Sequence, residues 1–244
     1  MRNTWFIFKR ELAAYFSTPV AYVFIVIFLS LIGALTFYVG NFFESGQADL
    51  RGFFFFHPWL YLLLIPAIAM RLWAEERKSG TIEMLTTLPV STTQIVVGKY
   101  LAAWIFAGIA LALTFPIWIT VNVLGNPDNG VVFASYIGSF LMAGAFLAIG
   151  SCVSAFTRNQ VIAFIVGATV CFLFTMSGLD LVLNFFRAWA PELVVEAIGS
   201  LSFLTHFTSV TTGLLDLRDV IFFFAVIAAW LYANVEIVEL KKAS

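Results

Sequence analysis

The chain has 244 residues, of which 61% are hydrophobic, 17% aromatic and only 11% charged, with a formal net charge of −1. Soluble globular chains carry about 25% charged residues, so this composition cannot cover a water-facing surface and excludes a soluble enzyme or a nucleic-acid binder. Its two cysteines, Cys152 and Cys171, lie inside apolar stretches, which excludes a disulfide framework and a multi-cysteine metal site.

Residues 1–18 mix Trp5, Phe6, Phe8, Leu12, Tyr15 and Phe16 with Arg2, Lys9, Arg10 and Glu11. That pattern predicts a helix lying in the membrane interface, although the same residues would also serve as a basic flank that fixes topology. Ser17 or Thr18 is placed to cap the first span, which opens at Pro19. A bilayer core of ~30 Å needs ~20 apolar residues per helix, and six stretches qualify: 19–40, 57–74, 98–124, 131–156, 160–183 and 218–238. The first is too long for a signal peptide and lacks a small-residue cleavage pattern. The second is interrupted by Pro58 and Pro66, which membrane helices tolerate when neighbours satisfy the freed carbonyl.

Between the second and third spans, residues 75–97 form a polar loop in which Ile82, Leu85 and Leu88 recur every third position. The spacing predicts a short helix with one apolar side, ended by Pro89, and Ser91 with Gln94 forms a capping box for the third span. Such a helix held between two spans can transmit force; an ordinary connecting loop is the alternative.

The fourth and fifth spans place small residues four apart: Gly144, Ala148 and Cys152 on one, and Ala163, Gly167, Cys171 and Thr175 on the other. Small side chains let helices approach closely in lipid, so a tight antiparallel hairpin about Thr157-Arg158-Asn159 is expected, with both cysteines as packing residues. Residues 184–217 are too polar and broken to span, and are expected to form short amphipathic helices at the outer face. Ten basic residues (Arg2, Lys9, Arg10, Arg71, Arg77, Lys78, Lys99, Arg158, Lys241 and Lys242) fall on one side of these spans, against Arg51, Arg187 and Arg218 on the other. The majority side is cytoplasmic by the positive-inside rule, and both termini lie there.

No ionisable residue falls near the middle of a span as drawn, which argues against an ion-coupled carrier. His57 and His206 are expected at the outer membrane surface, without clustered metal ligands. The Gly98-Lys99 pair has Thr93 where a phosphate-binding loop needs its first glycine. No catalytic residue, metal or cofactor is therefore expected on this chain, and any ATP is hydrolysed elsewhere.

Glu75-Glu76, Gly80-Thr81-Ile82-Glu83, Leu85, Leu88-Pro89-Val90-Ser91 and Gly98-Lys99 resemble the cytoplasmic loop of ABC-2 type exporter permeases. Phe8-Lys9-Arg10-Glu11-Leu12, with Tyr15-Phe16 and Pro19, is similar to that family's elbow helix. Asn159-Gln160 and Asp216-x-Arg218-Asp219 resemble the branch that contains the gliding-motility-associated permease. The resemblance implies a single transmembrane domain over 1–244, all-α and integral to the bacterial inner membrane. It has six spans, an elbow helix (1–18), a cytoplasmic coupling helix within 75–97 and short outer-face helices (184–217). It further implies a partner ATPase that carries ATP and Mg and receives the coupling helix, and a second permease copy, identical or not, that shares the substrate path. An extracytoplasmic auxiliary protein is a further expected partner. The competing expectations are an autonomous channel or secondary carrier, and an intramembrane enzyme built on His57 and His206 with Glu192, Glu196 or Asp216.

Overall fold

Backbone amides in lipid must be satisfied within the chain, which favours helices. The computed structural model, which describes residues 2–44, 46–80, 90–213 and 216–241, is built of helices joined by short connections, with no strand among the described residues. Helix α1 (Arg2–Phe16) precedes α2 (Pro19–Ala34), which continues as one π-helical stretch over Leu35–Val39. Thr18 is the N-cap residue of α2, but its hydroxyl donates back to the Tyr15 carbonyl instead of capping; Pro19 at the first position needs no such partner.

The short α3 (Arg51–Phe55) leads into α4 (His57–Ala69) and α5 (Arg71–Ser79). The expected second span, 57–74, is thus two helices meeting at Met70. Alone, the 13 residues of α4 reach only about 20 Å. Next comes α6 (Thr92–Ala112), which begins six residues before the expected third span because the Ser91–Gln94 capping box is made in both directions. It runs on through a turn into α7 (Pro116–Leu124). Helix α8 (Asn129–Phe156) starts at the Asp128 cap and α9 (Gln160–Met176) at the Asn159 cap, so the Thr157-Arg158-Asn159 turn ends in a helix cap. The helices α10 (Asp180–Arg187), α11 (Glu192–Ser200) and α12 (Phe203–Thr211) follow, and α13 (Leu217–Leu240), capped by Asp216, ends the described chain.

Among the described residues, four helical segments are long and apolar enough to cross a bilayer: Pro19–Val39, Thr92–Leu124, Asn129–Phe156 and Leu217–Leu240. Two bent pairs bring the number to six if each is one span: α9 with α10 at 75°, and α11 with α12 at 61°. The second pair lies within 184–217, a stretch too polar to be expected as a span, and residues 57–74 are not among the six.

Helix α8 is the centre of the bundle. It packs against α4, α5, α6, α9, α12 and α13, and every one of its residues from Leu141 to Ala155 is buried. Around it lie fully buried aromatic rings, among them Phe28, Phe53, Tyr100, Phe203 and Phe223, and its own Phe146 is buried with them. The apolar surplus faces outward: Val20, Val23, Val26 and Leu31 on α2, and Val161, Ile165, Phe172 and Leu173 on α9, are exposed. A contiguous outer face of this kind belongs in lipid.

Candidate functional site

The charged residues next to the loop gather into one node. Lys99 lies two turns into α6, and its side chain is only 3% exposed. Its ammonium Nζ donates to Glu76 on α5 at 2.8 Å and to Glu11 on α1 at 3.2 Å, and stands over the Trp73 ring at 5.8 Å. Glu11 also accepts from Arg10, and Arg71 holds Glu75 one turn away in a two-pronged contact (Nε to Oε2 2.8 Å, Nη2 to Oε1 3.3 Å). Arg10, Arg71 and Lys99 thus balance Glu11, Glu75 and Glu76. Desolvation, with Glu11 adding to it, raises the Tyr15 phenol above its ordinary range, so Tyr15 adds no charge beside the node. A cavity of about 290 Å³ between α1 and α5 borders Glu11, Glu76 and Lys99, and gives the carboxylates access to water.

Apolar contacts reinforce this junction. A Cβ on Gly98 would stand 2.8 Å from Ile7, so the glycine lets α1 lie directly on α6. Tyr15 stacks on Phe106 with ring centroids 4.9 Å apart. On the opposite side of α1, Phe8 stacks on Trp5 and Lys9 stands exposed over the same ring at 5.2 Å. Of the four N-terminal residues singled out in the sequence, Glu11 is therefore the one that ties α1 to the bundle through an ion pair. Helix α5 ends at Gly80, whose φ of +73° is the left-handed cap that glycine adopts without strain. Thr81, Ile82, Glu83, Leu85 and Leu88, the expected coupling helix, lie outside the described residues.

A second set of contacts fixes the break at Met70. Ser154 Oγ on α8 donates to the Met70 carbonyl (2.9 Å) and accepts from the backbone N–H groups of Trp73 (3.2 Å) and Ala74 (3.0 Å). One hydroxyl thereby uses its donor on a carbonyl at the end of α4 and both acceptor positions on N–H groups that the start of α5 leaves open. Ser151 Oγ accepts from Trp73 Nε1 (3.2 Å) and from Asn234 Nδ2 on α13 (2.7 Å). Lys99 enters the sequence motifs only as part of the Gly98-Lys99 pair, and Arg71, Trp73, Ser151, Ser154 and Asn234 are absent from them.

The small residues of the fourth and fifth spans are all buried, but they do not form one seam. A Cβ on Gly144 would strike Trp104 of α6 at 2.6 Å, so that glycine serves the α6–α8 contact. A Cβ on Gly167 would instead stand 3.6 Å from the Gly150 Cα and 3.9 Å from Pro66, so that glycine faces α8 and α4. Because α8 is surrounded, small residues on any of its faces serve different neighbours. Ala148 and Cys152 are buried within α8, as are Ala163 and Cys171 on α9; the Cys171 thiol is 3.8 Å from the Phe146 carbonyl.

His57, expected at the membrane surface, is fully buried. Its Nδ1 is 2.7 Å from Ser139 Oγ, a hydroxyl shared with Tyr61, and Phe53 and Phe54 pack edge-on around the ring. Helix α3 folds those two phenylalanines over it. His206 joins α12 to α13 through Asp219 (2.6 Å) and reaches the Ser200 carbonyl (2.9 Å). The two histidines thus serve separate junctions, and no group of three metal-ligating side chains occurs among the described residues.

An all-helical bundle with an apolar exterior and a charge-balanced junction at one end defines a multi-pass membrane protein. The sequence pattern described as ABC-2 family transporter protein matches residues 34–233, and the chain belongs to that family. It is accordingly a transmembrane permease component of an ABC transporter, a class of membrane subunit that works with an ABC ATPase. No curated protein matches the sequence.

Proposed function

We propose that the chain is the permease of an ABC exporter, and that it receives the ATPase stroke through the segment between α5 and α6. The observation that carries this reading is the Glu11–Lys99–Glu76 node. It joins both flanks of the 81–89 segment to α1, so displacement of the segment moves three helices together. Ile82 and Leu85 would seat in a groove of the ATPase, with Glu83 against a basic residue there. ATP and Mg belong to that partner, and the chain itself carries no cofactor and catalyses no reaction. Two permease copies, identical or different, enclose the substrate path.

In this reading α4 and α5 together form the second span, about 35 Å if continuous. The packing of α4 against α2, α8 and α9 supports its place inside the bundle. Helices α10 to α12 lie at the outer face, where an auxiliary protein would dock, and both termini are cytoplasmic in the bacterial inner membrane. Asn159-Gln160 and Asp216-x-Arg218-Asp219 favour the gliding-motility-associated branch. The test is Leu85→Asp: the variant is expected to insert and dimerise but to lose its ATPase on purification or hydrolyse ATP without transport. Parental transport with the ATPase retained would show the segment to be a connector.

A further inference from the structure

Three cations converge where the ends of α5, α8 and α13 meet. Arg77 is on the last turn of α5, Arg158 is in the turn between α8 and α9, and Lys241 follows α13. Helix α5, whose last turn holds Arg77, packs against both α8 and α9, whose junction holds Arg158. Lys241 Nζ donates to the Phe156 carbonyl at the end of α8 and stands over the Phe156 ring at 5.7 Å.

The carboxylates of α5 are committed elsewhere, Glu75 to Arg71 and Glu76 to Lys99. No carboxylate among the described residues pairs with Arg77 or Arg158, and Nε and one terminal nitrogen of Arg77 are buried without a hydrogen-bond partner. Desolvation first and the Arg158 charge second lower Arg77 from its ordinary value; desolvation, then Arg77 and Arg158, do the same to Lys241. Buried N–H donors left open are costly, and like charges held together cost more unless an anion joins them.

We propose that Arg77, Arg158 and Lys241 form a binding site for the phosphate of an anionic lipid headgroup. A guanidinium fork suits phosphate oxygens, and basic pockets between membrane helices favour such headgroups. The lipid source follows from the neighbours: Phe156 and Val161, which flank the Arg158 turn, are 59% and 62% exposed and offer an apolar surface to an acyl chain. An acidic protein partner would not need that surface. The site is independent of the ATPase reading, since it uses neither the 81–89 segment nor the Lys99 node.

The test uses the full chain in mixed micelles, with phosphatidylglycerol and phosphatidylcholine in competition and bound lipid counted by native mass spectrometry. The parent is expected to prefer phosphatidylglycerol, and Arg77→Gln/Arg158→Gln to lose that preference by about tenfold. Because Arg158 is exposed, Arg158→Gln alone keeps the fold and is expected to lose a smaller part of the preference, while Arg218→Gln retains all of it. An unchanged preference in both site variants overturns the proposal. So does complete displacement of the lipid by millimolar inorganic phosphate, which would make free phosphate the ligand. Loss of the ATPase from Arg158→Gln with lipid preference intact would assign the cluster to a protein partner, and would also overturn it.

Discussion

Lys99 offers a test of the junction that does not depend on transport. Its side chain is 3% exposed, whereas Glu11 and Glu76 are 15% and 21% exposed. Glu11→Gln leaves Lys99 with its shorter contact to Glu76, and Glu76→Gln leaves it with Glu11; each change is expected to cost about 1 kcal/mol. The double variant leaves a buried ammonium with no carboxylate, a situation that costs about 3–5 kcal/mol. Water in the adjoining cavity places the expected value at the low end, about 3 kcal/mol. The two glutamates do not touch each other in this scheme, so a coupling of about 1 kcal/mol must pass through Lys99. Unfolding of the four proteins (parent, two singles and the double) in one detergent measures it. Additivity within about 0.5 kcal/mol would refute a shared buried cation.

Ser154→Ala removes three hydrogen bonds at the Met70 break and is expected to destabilise the protein by about 1–3 kcal/mol, read as a lowered unfolding midpoint. A Cβ on Gly150 would stand 2.5 Å from Ala69 Cβ, but one on Gly167 would meet only ordinary contacts at 3.6 and 3.9 Å. Gly150→Ala is therefore expected to cost about 1–3 kcal/mol and Gly167→Ala close to nothing, and the reverse order in unfolding measurements would contradict the helix crossing. Cysteines introduced at Gln47 and Asn129 are expected to react with an impermeant reagent from outside, and one at Ser79 to stay unlabelled; labelling of Ser79 but not Gln47 would invert the proposed orientation.

Long apolar runs are legible because a run of about 20 apolar residues spans lipid only as a helix, and the Ser91–Gln94 capping box is a local signal; the caps at Asp128, Asn159 and Asp216 are made by residues whose type alone does not separate a cap from a turn. The break at Met70 was not legible, because its cause is a serine 84 residues away. Lys99 carried a usable signal: it shares a helical stripe with Ile95, Ala102, Ala103 and Phe106, all buried, and a lysine on such a stripe requires carboxylate partners. Which carboxylates it takes depends on how α1 folds back, and that is a matter of tertiary packing. The four-residue spacing of small residues identifies a helix face but not the neighbour it meets, and α8 has neighbours on every side. The burial of His57 has a related cause: the phenylalanines that cover it are placed by the way α3 folds back, which no local pattern shows.

The central claim is that the segment between α5 and α6 is where the ATPase engages the permease. A photo-crosslinking residue at position 85, and another at the exposed Val123 at the end of α7, test it in native membranes. The account predicts an adduct between the chain and an ABC ATPase from position 85 and none from position 123. An adduct from position 123, with none from position 85, would contradict it.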